Sequence, residues 1–225
     1  CHQWYNSVSP DTSMPGTLFV VATPIGNLED VTLRALRILQ EVDLIAAEDT
    51  RRTNQLLQHF KITTETTSFH RHNESKQLPR LLSKLDQGQN IALVTDAGTP
   101  TISDPGNALV AKAIQQKLPV EAIPGPSAIL TALGLCGFLE DGFTFVGFPP
   151  SRSVDRKRWF LNLADEPRPL VLFESPHRIQ KSLKEALNIF GDRPIFIGRE
   201  LTKMHEQRIH GTISEVIGKI SNKKG

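Results

Sequence analysis

Short apolar runs alternate with amphipathic stretches along almost the whole chain. Residues 17–22 (TLFVVA) are rich in β-branched side chains and bounded by Pro24 and Gly26, which predicts a buried strand. Residues 28–42 carry apolar side chains at a spacing of four, which predicts an amphipathic helix. The same criteria predict further strands at 44–47, 66–69, 91–95, 120–123, 143–146, 170–173, 195–198 and 208–211, and further helices at 53–60, 74–85, 107–116, 127–135, 155–163, 179–190 and 213–220.

This strand–helix alternation is typical of an α/β fold with a mostly parallel sheet covered by helices. Pro124-Gly125-Pro126 is the strongest break in the pattern, because proline fixes φ and glycine permits unusual angles. We therefore predict two α/β domains, 14–123 and 124–225. Residues 1–13 precede Met14 and are expected to be an added or disordered extension outside the fold.

Composition narrows the class of protein. The chain is 39% hydrophobic and 22% charged with a formal net charge of +2, which fits a globular protein and excludes a histone-like polycation. No apolar run approaches the roughly 20 residues of a membrane helix. Two cysteines cannot form a disulfide framework or a four-cysteine zinc site, so we expect a cytoplasmic protein with no membrane association and no metal site.

The loops that follow the first five predicted strands are polar or rich in glycine and proline. They are 23–27, 48–52, 70–73, 96–100 and 124–128. Any one of them is compatible with an ordinary turn, but in a parallel sheet all five meet at one edge, where ligands bind. Asp49 and Asp96 add carboxylates to that edge, so the five loops together predict a ligand site.

Two familiar nucleotide-binding motifs are missing, and a third motif is incomplete. Neither G-x-G-x-x-G nor the P-loop sequence occurs after strand one. Residues 125–129 resemble a nucleophile elbow, but Ile129 stands where its last glycine belongs. A serine hydrolase built on Ser127 is one alternative, although a role for Ser127 as a helix N-cap is the preferred interpretation.

Six motifs occur in order along the chain. They are Thr23-Pro24-Ile25-Gly26-Asn27-Leu28-Glu29-Asp30; Ala47-Glu48-Asp49-Thr50-Arg51; Asp96-Ala97-Gly98-Thr99-Pro100 with Ser103-Asp104-Pro105-Gly106; Pro124-Gly125-Pro126-Ser127-Ala128; Glu174-Ser175-Pro176-His177-Arg178; and Arg199-Glu200-Leu201-Thr202-Lys203. From about Thr17 to about Ile220 the chain resembles the ribosomal RNA small subunit methyltransferase I family of the tetrapyrrole methylase superfamily.

The resemblance implies two α/β domains with S-adenosylmethionine in the cleft between them, in a homodimer that methylates the ribose 2′-oxygen of a cytidine in the decoding region of 16S rRNA. By motif, it assigns cofactor contacts to Pro24, Ile25, Gly26, Ala97, Gly98, Thr99, Ile102, Ser127 and Ala128, and by a looser alignment to Phe173, Glu174 and Leu201. The family usually continues through a Lys-Gly-Glu segment into a last strand, whereas the sequence here ends with Lys223-Lys224-Gly225.

A ribose hydroxyl is a poor nucleophile, so a base or charge-stabilising group is expected beside it. The candidates for that role are Asp49, Asp96, Glu200 and Lys203, although the last two would also suit a solvent-facing pair at a strand end. The partner is expected to be 16S rRNA or the small ribosomal subunit.

RNA binding requires cations that face phosphates. The candidates are Arg51, Arg52, Arg152, Arg156, Lys157, Arg158 and Arg178. Trp159 follows the basic stretch and would either stack on a base or lie in the core. The remaining alternatives are a tetrapyrrole methyltransferase and a non-catalytic RNA-binding module.

Overall fold

The computed structural model describes residues 14–221. Every predicted strand and helix is present, with ends that differ by a few residues. The strands are β1 Leu18–Val21, β2 Leu44–Ala47, β3 Thr66–Ser68, β4 Ile91–Val94, β5 Val120–Ile123, β6 Thr144–Phe145, β7 Leu170–Val171, β8 Pro194–Arg199 and β9 Gln207–Thr212. The helices are α1 Leu33–Glu41, α2 Thr50–His59, α3 Glu74–Asp86, α4 Asn107–Gln115, α5 Ala128–Cys136, α6 Ser153–Leu161, α7 Ile179–Phe190 and α8 Ile213–Ser221.

The first five strands form one parallel sheet in the order β3-β2-β4-β1-β5. All residues of β2 and β4 are buried because helices cover both faces of the sheet. Side chains alternate along each strand: Ile45 and Ala47 pack with α1 and α2, while Leu44 and Ala46 pack with α3 and α4. The prediction of a parallel α/β sheet is therefore confirmed, and its carboxyl ends all lie at one edge.

The chain divides into two compact units. Of the described residues, the first unit holds 14–24 and Asp30–Gly125, and the second holds Ile25–Glu29 and 126–221. In the second unit β6 pairs with β7 in parallel and β8 with β9 in antiparallel fashion. Leu183, Ile213 and Val216 form the buried centre that joins α7, α8 and the β8–β9 hairpin.

Helix α1 begins later than its hydrophobic pattern predicts. Thr32 is its N-cap, and the Thr32 hydroxyl accepts a hydrogen bond of 3.0 Å from the Ala35 backbone N–H. The residues before it, Leu28–Asp30, form a single 3-10 turn. No helix within residues 14–221 is long and apolar enough to cross a bilayer.

Gly106 precedes α4 and is held in a conformation that side chains rarely adopt. Its φ is +116°, and a Cβ at this position would lie 2.5 Å from Leu93 Cδ2 in the core. We expect Gly106→Ala to lower the free energy of unfolding by roughly 1–3 kcal/mol, from backbone strain and overpacking. The control is Gly218→Ala in α8, where nothing lies within 4 Å of the new Cβ; it should be neutral or stabilising by up to about 1 kcal/mol. Urea denaturation of both variants checks this, and equal stabilities would contradict it.

Candidate functional site

The tips of β1 and β4 are joined by a pair of backbone hydrogen bonds. The N–H groups of Thr23 and Gly98 each donate to the other residue's carbonyl oxygen at 2.9 Å, and the Thr23 hydroxyl donates to the Thr95 carbonyl at 3.1 Å. Gly98 has a φ of +82°, which favours glycine at this turn. The small residues Ala97 and Gly98 thus hold main chain, rather than bulky side chains, at the carboxyl edge of the sheet.

Two predicted catalytic carboxylates lie side by side where β2 and β4 end. The Asp49 backbone N–H donates to Asp96 Oδ1 at 3.1 Å, and Asp96 lies 3.4 Å from the Arg52 guanidinium. Asp49 is the N-cap of α2, and hydrogen bonds from the Arg51 side chain and backbone lower the pKa of Asp49 to about 2. A carboxylate with such a low pKa is a poor proton acceptor. The structure instead shows Asp49 as the N-cap of α2 and as the ion-pair partner of Arg51. Within residues 14–221, no set of three or more His, Cys, Asp or Glu side chains is placed to bind a metal ion.

In the second unit, the loop Ile25–Glu29 lies against the turn between β8 and β9. The Asn27 backbone N–H donates to Thr202 Oγ1 at 3.1 Å. A Cβ on Gly26 would lie 2.4 Å from Lys203 Cγ and 2.9 Å from the Leu201 carbonyl oxygen, so only glycine fits here. The structure therefore brings Gly26 together with Leu201 and Lys203, which belong to the first and the last of the six motifs.

The backbone of this turn is unusual around its predicted catalytic pair. Glu200 and Thr202 both have positive φ values, +54° and +66°, and the Thr202 N–H donates to Glu206 at 2.6 Å. Lys203 Nζ lies 3.2 Å from Glu200, and each side chain is nearly half exposed. Both groups are therefore solvent-accessible and paired to each other, which leaves their catalytic role a prediction.

Ser127 is the N-cap of α5, as the sequence analysis preferred. Its Oγ accepts from the Leu130 N–H at 3.4 Å, and its carbonyl accepts from the Thr131 hydroxyl at 2.8 Å. Ala128 is the first residue of the helix and is partly buried. The Ser127 side chain thus has a structural task, and nothing in the described residues gives it the environment of a nucleophile.

Phe173 and Glu174 follow β7, and their side chains have different surroundings. The Phe173 ring packs against the rings of Phe145 and Phe148, with centroids 5.2 Å apart in each case. The Glu174 side chain is 2% exposed, pairs with Arg178 at 2.8 Å and accepts a hydrogen bond from the Ser182 hydroxyl. The Glu174 carboxylate is thus used inside the unit, and the predicted contact between Glu174 and the cofactor stays a prediction.

Arg156 is buried and paired inside the unit, which disfavours the predicted role in RNA binding. Its side chain is 4% exposed and forms a two-pronged ion pair with Glu185 at 2.8 and 2.9 Å. The third guanidinium nitrogen donates to the Pro150 and Ser151 carbonyls. Phosphate would have to replace partners that already satisfy this group.

The other predicted RNA contacts remain at the surface to different degrees. Arg152, Lys157 and Arg158 are exposed on or next to α6, whereas Arg178 is 28% exposed and paired with Glu174. Arg51 and Arg52 are exposed at the start of α2 but paired with Asp49 and Asp96. The next residue along α6, Trp159, is partly buried and packs edge-on against Phe160.

Asp104 belongs to the third sequence motif, in which no role was predicted for it. Its loop carries Ile102, which is 43% exposed, and two non-glycine residues with positive φ, Thr101 and Ser103. Burial, then the charge of Glu48, raises the pKa of Asp104 to about 6. The raised pKa of Asp104 could not be predicted from the sequence. It depends on the strand order, which places the ends of β2 and β4 side by side.

An open hollow of about 520 Å³ lies beside the same loop, between α4 and β5. Its lining is mainly apolar, and Lys117 is the charged residue in it. The hollow contains none of the carboxylates at the sheet edge. We therefore do not assign the chemistry to it.

Comparison with known proteins defines the class. The fold is similar to that of a cobalt precorrin-4 methyltransferase (TM-score 0.67, 18% identity, covering 92% of this chain and 90% of that one). It is also similar to uroporphyrin-III C-methyltransferase from Thermus thermophilus in complex with S-adenosylhomocysteine (TM-score 0.63, 21% identity, 91% of each chain). A family model for the tetrapyrrole (corrin/porphyrin) methylases matches residues 17–217. The protein is thus a methyltransferase of the tetrapyrrole methylase class, and its methyl donor is S-adenosylmethionine.

Curated relatives define the family within this class. Ribosomal RNA small subunit methyltransferase I of Thermotoga maritima is 46% identical over 209 residues, covering 93% of this chain and 94% of the relative. Its counterpart from Synechocystis is 49% identical over 203 residues, covering 90% and 73%. The chain therefore belongs to the ribosomal RNA small subunit methyltransferase I family.

The described residues fit this donor. At the tip of β4, Ala97 and Gly98 carry little or no side chain, and the Gly98 N–H and C=O are held by Thr23. In the second unit, Gly26 lacks a side chain where Lys203 and the Leu201 carbonyl oxygen pack against it. Glycine and alanine at such tips let a ligand approach the main chain closely.

Proposed function

We propose that this protein methylates the ribose 2′-oxygen of a cytidine in the decoding region of 16S rRNA, acting in the cytoplasm as a homodimer. The observation that carries the proposal is the set of relatives named for small subunit rRNA methylation, 45–49% identical over at least 90% of the chain. The exposed cations on α6 support an RNA substrate, since contacts to phosphate supply much of RNA affinity.

When bound, S-adenosylmethionine supplies a methyl group already activated on a positively charged sulfur. The task of the protein is then to orient donor and acceptor and to remove a proton. We assign donor contacts to Pro24–Gly26 with Leu201, to Ala97–Thr99 with Ile102, and to Ser127, Ala128 and Phe173. That residues of both units contribute to donor binding is part of this proposal.

The test supplies tritiated S-adenosylmethionine with assembled small subunits, naked 16S rRNA or a precorrin. We expect label in the rRNA and recovery of 2′-O-methylcytidine after digestion to nucleosides. Alkaline hydrolysis gives an independent readout, because the modified ribose lacks the hydroxyl that cleaves the adjacent phosphodiester. Label on a base or in the precorrin would overturn the proposal. Sedimentation of the purified protein tests the dimer.

The α6 cations give a second prediction. Changing Arg152, Lys157 and Arg158 to Glu should weaken rRNA affinity by about 10–100-fold and reduce the slope of log K against log salt by roughly 0.7–0.9 per lost phosphate contact. The matched control reverses three exposed cations on α3 and α4, Lys76, Arg80 and Lys112, for the same change in net charge. Filter binding across a salt series measures both. Equal losses in the two variants would mean that net charge, and not the α6 surface, determines affinity.

A further inference from the structure

Asp104 stands in the same loop as the proposed donor contacts Ala97–Thr99, at the carboxyl edge of the first sheet. The backbone of this loop is strained, because two non-glycine residues have positive φ values, +73° at Thr101 and +68° at Ser103. Arg71, from the loop after β3, donates to the Ser103 carbonyl at 2.9 Å. Strained backbone next to a polar side chain is typical of functional sites, where it fixes a side chain in place.

The charges that face Asp104 come from three neighbouring elements. Glu48 lies at the end of β2 and Asp96 at the end of β4, and both raise the pKa of Asp104. Arg71 is the cation that faces it and lowers its pKa. Burial is the largest cause, and the resulting pKa of about 6 keeps the group ionised at pH 7 yet able to take up a proton.

An independent observation points to a ligand at this place. Thr95 is 3% exposed, and its Oγ1 completes no hydrogen bond within the described residues. The Thr95 hydroxyl nonetheless lies near enough to Asp104 to lower the pKa of that group. A buried hydroxyl usually has a partner, so the unpaired Thr95 Oγ1 beside Asp104 marks a position for the polar atom of a ligand.

Two of the neighbouring carboxylates, Asp49 and Asp96, already have ion-pair partners. Asp49 is held at a pKa of about 2 by Arg51. Asp96 accepts the Asp49 N–H and pairs with Arg52. Of the acids at this edge, Asp104 therefore combines a suitable proton affinity with a carboxylate that has no ion pair in the described structure.

We propose that Asp104 is the catalytic base that takes the proton from the substrate hydroxyl, with the Thr95 hydroxyl beside it. The substrate oxygen forms the new bond to the methyl carbon, the carbon–sulfur bond breaks with its electron pair left on sulfur, and the O–H proton moves to the Asp104 carboxylate. Solvent then removes that proton after the product leaves. This assignment rests on the proposed function, since a hydroxyl acceptor is what requires a base.

The pH dependence follows from the need for an ionised base. In single-turnover reactions with small subunits, the rate should rise tenfold per pH unit below about pH 6 and level off above it. Asp104→Asn should lower the plateau rate at least 100-fold while leaving affinity for S-adenosylhomocysteine, measured by calorimetry, within about twofold. Its melting temperature at pH 8 should be unchanged or higher, because the variant no longer buries a charge.

A second readout uses the free protein and no substrate. Carbon-13 NMR of labelled aspartate carboxyls should show Asp104 titrating near pH 6. Glu48→Gln should move that midpoint, and the acid limb of the rate profile, to lower pH, whereas Arg71→Gln should move the midpoint upward. Glu65→Gln, an exposed carboxylate at the opposite edge of the sheet, is the control and should change neither.

The outcomes separate the two proposals. If the wild-type protein forms no ribose-methylated product, the proposed function fails and the role of Asp104 fails with it. If wild type forms the product and Asp104→Asn does so at the same rate, the role of Asp104 alone is overturned. An acid limb that Glu48→Gln does not move would overturn it equally, even if Asp104→Asn were too unstable to assay.

Discussion

Replacing Arg156 with alanine is expected to lower the free energy of unfolding by about 3–5 kcal/mol. The reason is the carboxylate left behind: Glu185 is 13% exposed and would keep one short hydrogen bond, 2.6 Å from the Ser153 hydroxyl. Two backbone carbonyls, of Pro150 and Ser151, would also lose their donor. Urea denaturation followed by tryptophan fluorescence measures the loss, since Trp159 lies in the same helix.

The neighbouring residue provides the control. Lys157 is exposed, so Lys157→Ala should change stability by no more than about 0.5 kcal/mol. Replacing both partners, Arg156→Met with Glu185→Leu, should restore most of the stability, because no unpaired charge remains. If Arg156→Ala instead proved as stable as Lys157→Ala and lost only RNA affinity, the original prediction that Arg156 binds RNA would be correct.

Arg156 also illustrates what the sequence could not reveal. Helix α6 carries polar side chains on almost every side, so its periodicity marks no inward face. The partner that draws Arg156 inward stands 29 residues later, on α7. Glu174 is a similar case, since the hydroxyl that engages it belongs to Ser182, eight residues later on α7. A local run of charge cannot distinguish a phosphate contact from an internal pair.

The first sheet was predictable for the opposite reason. Strands β2 and β4 are buried on both faces, so they consist of uninterrupted apolar residues bounded by polar loops. Parallel strands place all their carboxyl ends at one edge, which brought Asp49 next to Asp96 as expected. The spacing of residues along the sequence could not predict the pKa values of the carboxylates at this edge. These depend on the strand order that sets Glu48 and Asp96 around Asp104.

The grouping of Ile25–Glu29 with the second unit had no signal in the sequence either. The contact includes Thr202, which has a positive φ and whose hydroxyl accepts a hydrogen bond from the Asn27 N–H 175 residues away. A motif can show that Gly26 belongs to a site. The packing of Lys203 and Leu201 explains why it must be glycine.

That packing leads to the second large effect. Gly26→Ala should weaken S-adenosylhomocysteine binding by about 10–100-fold, or roughly 1.4–2.7 kcal/mol. The new Cβ would lie 2.9 Å from the Leu201 carbonyl, a backbone atom that cannot move cheaply, so the loop must shift away from the turn and give up the hydrogen bond to Thr202. Because the loop is exposed, the melting temperature should change little.

Calorimetry with S-adenosylhomocysteine measures the loss, and Gly134→Ala is the matched control. Gly134 lies inside α5 of the same unit, with nothing within 4 Å of an added Cβ, so that variant should bind like wild type. Adding Lys203→Ala to Gly26→Ala removes the 2.4 Å contact to Cγ but not the contact to the Leu201 carbonyl, so affinity should recover only in part. Wild-type affinity in Gly26→Ala would instead exclude this loop from donor binding, and the donor contacts would have to be sought at Ala97–Thr99 and Ser127 alone.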